Sequence, residues 1–206
     1  MRVAWYFDFI SPFAYLHWQK VRGLMAERAV EPVPVLFAAI LNAHGQKGPA
    51  EIPGKREFTY RHVLWQARRE GIPLRAPPAH PFNPIPALRL CIAAGSTPET
   101  IDAIYEWIWA QGQAGDTAQA LEPVMRRLGV APESLASDAV KNALRANTDA
   151  ALAAGVFGVP TLAVGDTLFW GNDVHDFALE AIADPALLDD PEMRRVERLP
   201  VGVRRI

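Results

Sequence analysis

The sequence predicts an α/β domain interrupted by an all-helical one. Three observations carry that expectation: strand-like apolar runs stand at both ends of the chain, helical periodicity fills the middle, and no fixed-period repeat is present. A chain of 206 residues suits one large domain, or one domain with another inserted in it.

The first element is "RVAWYFDF", apolar and barely interrupted, which predicts a strand over residues 3–8. The helix after it carries Phe13, Leu16, Val21, Leu24 and Met25 at helical spacing and ends near Ala29. "EPVPVLFAAI" then predicts a strand over 33–37, whose Pro32 and Pro34 suit a sheet edge. Strand, helix and strand make a βαβ unit. "LNAHGQKGPAEIPGK" is a Gly/Pro-rich loop. Helices are expected over 55–70, 87–94, 98–111, 118–128 and 137–154, with the Pro-rich "IPLRAPPAHPFNPIP" separating the first two. The helix at 98 is well punctuated, with Thr97 as cap, Pro98 in the first turn and Gly112 at the end; its apolar face is Ile101, Ile104, Tyr105 and Ile108. "PTLAVGDTLFW" predicts a hairpin turning at Gly165-Asp166. "GNDVHDFALEAIAD" predicts a last helix capped by Asn172 or Asp173, with Val174, Phe177, Ala178 and Ala181 inward.

Composition narrows the function. Half the residues are apolar, enough for a sizeable core. The formal charge is −2 with the signs mixed, and no basic block suggests a nucleic-acid partner. The basic stretch "RRVERLPVGVRRI" is expected to be a solvated tail, with anion binding the minority reading. The single cysteine, Cys91, excludes an internal disulfide and any Cys-x-x-Cys pair; between Leu90 and Ile92 it is expected to be buried and inert. No signal-peptide pattern, no apolar run near the ~18 residues of a membrane span and no metal-ligand spacing are present. A soluble cytoplasmic protein is the expectation.

Three short stretches have a structural and a functional reading. Ser11-Pro12 stands where strand passes to helix: Ser is a preferred N-cap and Pro is tolerated in the first turn. The same geometry offers free N–H groups, a partial positive charge and a hydroxyl to an anion. "GVFGVPT" reads as helix stop, turn and strand start; as function, Val159-Pro160 is a candidate cis bond that would turn the Val159 backbone to a ligand. "FWGND" reads as strand end, Gly turn and helix start; as function, Asn172 and Asp173 would hold a polar ligand, with Asp173 suited to an ammonium group.

Together and in order, "DFISPFAYL", "GPAEIPGKREF", "GVFGVPT" and "FWGND" resemble the 2-hydroxychromene-2-carboxylate isomerase family, relatives of kappa-class glutathione transferases in the thioredoxin-like superfamily. The resemblance runs over residues 2–183. It implies a thioredoxin-like domain with an inserted all-helical domain, divided as 1–38 and 150–206 around 39–149, binding glutathione at the junction. Where the superfamily carries Cys-Pro-x-Cys, this chain reads Ser11-Pro12-Phe13-Ala14. Ser11 would be the partner of a glutathione thiolate, and helix ends lower thiol pKa values. The resemblance assigns Val159 as a backbone contact to the cysteinyl part. It gives Trp170, Gly171, Asn172 and Asp173 as the γ-glutamyl turn, Lys55 to the glycyl carboxylate, and Gln46 where relatives commonly have Asn. Asn42 falls about where the isomerases carry a Lys near the substrate, and a neutral amide holds a carboxylate less strongly.

The acceptor side is expected to be lined by Phe13, Asn42, His44 and the "HPFNPIPALRL" stretch, with His80, Phe82, Asn83 and Arg89. His17, His62 and His175 are read as surface positions, and Trp65, Trp107 and Trp109 as core of their helices. The implied activity is a glutathione-dependent cis–trans isomerisation of an aromatic-pathway α-keto acid. The alternatives are a kappa-like transferase conjugating electrophiles and a non-catalytic thioredoxin-like binding protein. The expected partner is a small molecule, with a homodimer left open.

Overall fold

The computed structural model of the chain describes residues 2–203. Its order is β1 (Val3–Phe7), α1 (Pro12–Glu27), β2 (Glu31–Pro34), α2 (Phe37–Ala43), α3 (Lys55–Glu70), α4 (Ile85–Ala93), α5 (Pro98–Tyr105), α6 (Glu122–Leu128), α7 (Asp138–Ala153), β3 (Thr161–Val164), β4 (Thr167–Trp170), α8 (His175–Ala183) and α9 (Pro191–Glu197). The strands form one sheet in the order β2-β1-β3-β4. β1 runs parallel to β2 and antiparallel to β3, so the two ends of the chain share a sheet, as expected.

β1 is buried on both faces, which is why its sequence is a continuous apolar run. Strand alternation sends Val3, Trp5 and Phe7 into a large core with α1, α5 and α8; Ala4 and Tyr6 join Ile40, Ala151, Val156 and Ala163 on the other face. Ile40 belongs to α2 and Ala151 to α7. The divisions expected at 38/39 and 149/150 therefore fall inside helices that cover the sheet.

Several expectations are corrected. The second strand ends at Pro34 rather than continuing to 37, and Phe37 opens α2, whose last residues, 41–43, fall in the expected loop. The ladder stops because β1 stops at Phe7; the Asp8 carboxylate then takes the Phe37 N–H at 2.9 Å. The helix expected from 118 starts at Glu122, because the Thr117 hydroxyl has taken the Ala120 N–H at 3.1 Å. The helix from Pro98 is capped by Thr97 as expected, but widens after Tyr105 into a π turn, Glu106–Ala110, in which Gln111 N–H reaches Glu106 O at 2.9 Å. α8 starts after Val174, and neither Asn172 nor Asp173 caps it. Phe177, expected inward, is 41% exposed, though its ring meets Phe169 edge-on at 5.0 Å. Trp65 is 54% exposed on the outer side of α3 instead of in the core. The basic end forms α9 up to Glu197, with Arg194 and Arg195 paired to Asp189 and Glu192; residues 204–206 lie outside the described residues.

Candidate active site

The strand register gathers the candidate residues at one end of the sheet. Tyr6 is opposite Thr161, so the chain beyond β1, leading to Ser11, lies beside the chain just before β3, which is Val159-Pro160. Thr161 is opposite Trp170, which brings Gly171 and Asn172 to the same end; Gly171 N–H donates to Pro160 O at 2.9 Å. Phe7 is opposite Pro34, so α2 starts there too.

Ser11 is buried at the head of α1, and its Oγ accepts from Ala14 N–H at 3.2 Å. The hydroxyl hydrogen has no acceptor among the described residues. The turn before it is held by four hydrogen bonds. Asp8 Oδ1 accepts from Ile10 N–H at 3.1 Å, and Asp8 O accepts from Ser11 N–H at 3.1 Å. Trp109, from the π turn, donates to Phe9 O at 2.8 Å. His80 donates to Ile10 O at 2.8 Å. Asp8 is fully buried, and burial pushes its carboxyl up to about 7 against the lowering effect of the Phe37, Ile10 and Phe9 N–H groups.

The Val159-Pro160 bond is cis. Val159 is buried, and its backbone N–H and C=O make no hydrogen bond among the described residues. Trp170 stands half-exposed over Gly158, where a Cβ would meet the indole Nε1, and Phe157 packs edge-on against it at 5.4 Å. Gly171 turns with φ +112, a conformation that favours glycine, and a Cβ there would come 2.5 Å from Asp173 Oδ1. Asn172 is buried; its carbonyl oxygen accepts from Lys20 Nζ at 3.3 Å, while its Nδ2 has no partner. Buried polar groups are nearly always paired, so an unpartnered amide nitrogen calls for an acceptor.

The other candidates lie further out. Phe13 is half-buried against His62, with ring centroids 5.8 Å apart. Gln46 and Lys55 are exposed, as is Asn42 on α2, and none of the three side chains hydrogen-bonds to a described residue. His44 ends α2, its Nε2 3.3 Å from Val156 O. Asn83 Oδ1 accepts from Ile85 N–H at 3.2 Å, at the start of α4. His80 has both ring nitrogens engaged, one by Ile10 O and the other by Tyr60 Oη at 2.7 Å, and burial lowers its pKa. Arg89 is half-buried, with Nε unpartnered. Cys91 is buried away from the turn, its thiol pushed up to about 12 by burial.

Sequence reasoning did not single out Asp8 or connect Trp109 to the turn. A lone carboxylate closing the apolar run "RVAWYFDF" was the available signal for Asp8. His17 and His175 are corrected from surface to buried positions, because each imidazole finds a partner inside: Trp5 Nε1–H donates to His17 Nδ1 at 3.1 Å, and His17 Nε2 lies 3.1 Å from His175 Nδ1.

Residues 2–183 match the model of the DSBA-like thioredoxin domain. The chain is 30% identical over 187 residues to a 2-hydroxychromene-2-carboxylate isomerase of Pseudomonas putida, covering 84% of this chain and 90% of that one. It is 28% identical over 215 residues to glutathione S-transferase kappa 2 of Caenorhabditis elegans, covering 89% and 94%. A solved 2-hydroxychromene-2-carboxylate isomerase superposes with a TM-score of 0.77 at 26% identity, over 94% of this chain and 99% of that one.

Proposed function

The chain belongs to the DSBA-like thioredoxin family, with 2-hydroxychromene-2-carboxylate isomerase and kappa transferase relatives, and from that membership we propose that it is a glutathione-dependent cis–trans isomerase. Its substrate would be an α-keto acid in equilibrium with a 2-hydroxychromene-2-carboxylate type ring. The observation that carries the reading is the unpaired Val159 backbone at the same sheet end as the Ser11 hydroxyl. An N–H and a C=O left unpaired on one residue can both pair with the backbone of a short peptide.

Glutathione, when bound, supplies a thiolate that adds reversibly to the conjugated acid and so turns a fixed double bond into a rotatable one. Ser11 then has one task, to donate its free O–H to the sulfur while Oγ keeps its bond from Ala14 N–H. The first-turn N–H groups of α1 add a positive potential at the same place. Val159 pairs with the cysteinyl backbone. Asn172 Nδ2 and the Gly171 turn take the γ-glutamyl carboxylate, and Asp173 takes its ammonium group. Lys55 and Gln46, with no other side-chain partner, take the glycyl end. Phe13, Asn42 and His44 face the acceptor. A dithiol reaction has no second sulfur: Cys91 is the sole cysteine and is buried elsewhere.

The test is interconversion of a cis/trans pair of such keto acids with and without glutathione, together with retention on immobilised glutathione. Full turnover without glutathione, or no retention, would overturn the reading. The kappa relative favours one second reading, a transferase; accumulation of a stable conjugate from an aryl electrophile, without isomerisation, would select it.

A further inference from the structure

α1 reaches the candidate γ-glutamyl turn twice from one face. His17 and Lys20, three residues apart, meet His175 and the Asn172 carbonyl oxygen at 3.1 and 3.3 Å. Behind His17 stands Trp5 of β1, whose indole can only donate. Its bond to His17 Nδ1 therefore fixes the tautomer: His17 carries its proton on Nε2 and donates to His175 Nδ1, and His175 carries its own on Nε2. The row of donors runs one way, from the sheet through α1 to the first turn of α8. Both imidazoles are buried, so replacing either bond with water is costly.

We propose that the Trp5–His17–His175 chain is a positioning device, holding the Gly171–Asp173 turn in register with the Ser11 head of α1 so that the two halves of the glutathione site stay matched. The inference rests on the glutathione reading above. His17 and His175 touch no ligand in it; they act through the turn.

The arrangement has no room for an added proton. A proton on His175 Nδ1 would face the His17 N–H, and moving the His17 proton to Nδ1 would face the Trp5 N–H. One bond must break in either case. The charges around the pair are Lys20 of α1, held 3.9 Å from Glu70 of α3, and Asp176 of α8; Asp173 lies in the turn itself, and β1 presents the uncharged Trp5. Burial, then Lys20, lowers the His175 pKa, while Asp176 raises it; burial, then His175 and Lys20, takes His17 down to about 3. The device is therefore intact at neutral pH and released in acid.

The experiment compares His175→Leu and His175→Asn with the wild type. Glutathione affinity is measured by calorimetry at pH 7 and pH 5, and amide hydrogen exchange over residues 171–176 is followed without ligand. The Leu variant removes the acceptor; exchange in the turn should quicken and affinity at pH 7 should fall about tenfold. Asn places an oxygen where Nδ1 stood and cannot be protonated. It should restore both readouts and abolish the acid loss of affinity expected of the wild type. Wild-type affinity in the Leu variant, with or without faster exchange, would overturn the proposal. If the Leu variant does not fold, an acid loss in the Asn variant equal to that of the wild type overturns it instead. If no protein binds glutathione while exchange still separates Leu from Asn, the glutathione reading fails and the anchoring of the turn stands by itself.

Discussion

His80 donates its Nε2–H to the carbonyl oxygen of Ile10 at 2.8 Å, joining residues 70 positions apart in the chain. A carbonyl only accepts, so His80 Nδ1 is left as acceptor for Tyr60 Oη at 2.7 Å. The neighbouring Phe9 carbonyl is taken by Trp109. The helical insertion thus fastens the two residues that precede Ser11. His80→Phe keeps a ring in place and removes both hydrogen bonds. Stability should fall by about 1–3 kcal/mol, read from urea unfolding, with lower turnover because the Ser11 turn is loosened. An unchanged urea midpoint would mean that Ile10 O is satisfied by water at no cost.

Ser11→Ala should hurt the chemistry more than the fold. The variant loses the cap to Ala14 N–H, worth ~1 kcal/mol, while Pro12 still presets the first turn. A hydrogen bond to a charged group is worth roughly 1.5–3 kcal/mol, so bound glutathione should titrate about one to two pH units higher in the variant. Thiolate absorbance against pH at saturating glutathione measures it. An unchanged thiol pKa with full activity would leave Ser11 as a helix cap alone.

Gly158→Ala separates ligand binding from stability. The new methyl would meet Trp170 Nε1, and Trp170, 54% exposed, has room to swing away. Stability should change by less than about 1 kcal/mol. Glutathione affinity should fall about tenfold, a loss of ~1.4 kcal/mol, because the displaced indole adjoins Gly171. Calorimetry with a thermal melt checks both; equal affinity would detach Trp170 from the site.

Acid should destabilise the protein below about pH 6.5. The folded-state pKa values of His17, His80 and His175 are all lowered, first by burial, that of His17 to about 3. Below ~6.5 the unfolded chain takes up protons that the folded chain refuses. The stabilisation is complete above that pH and is lost as pH falls towards the folded values. Asp8 works the other way: its folded pKa, about 7, exceeds the ordinary 3.8, so its contribution is complete below ~4 and lost as pH rises through 7. His17 and Asp8, displaced by similar amounts in opposite directions, offset each other between pH 6.5 and 4 at roughly 3 kcal/mol each, so the lowered pKa values of His80 and His175 set the net sign. Urea midpoints at pH 7.5 and pH 5 test it. A higher midpoint at pH 5 would mean that Asp8 dominates.

Local pattern was enough for much of this protein. The apolar run of β1, the start of α5 at Thr97 and Pro98, the stop at Gly112 after the π turn, and the Gly165-Asp166 turn were all readable because each depends on residues a few positions apart. The motifs at Ser11, Val159 and Trp170–Asp173 pointed to the family for the same reason. Where β2 stops was decided by tertiary structure, since it depends on where β1 stops and on Asp8 capturing the Phe37 N–H across 29 residues. So was the burial of His17 and His175. Beside charged neighbours in sequence they read as surface, and only packing α1 against the sheet and α8 gives each imidazole a partner that replaces water. Trp65 is the converse: an aromatic reads as core, but α3 turns its face outward, away from every buried cluster. A residue's type sets what its burial would cost or gain; which neighbours compensate it depends on contacts far apart in sequence, and the fold alone makes those.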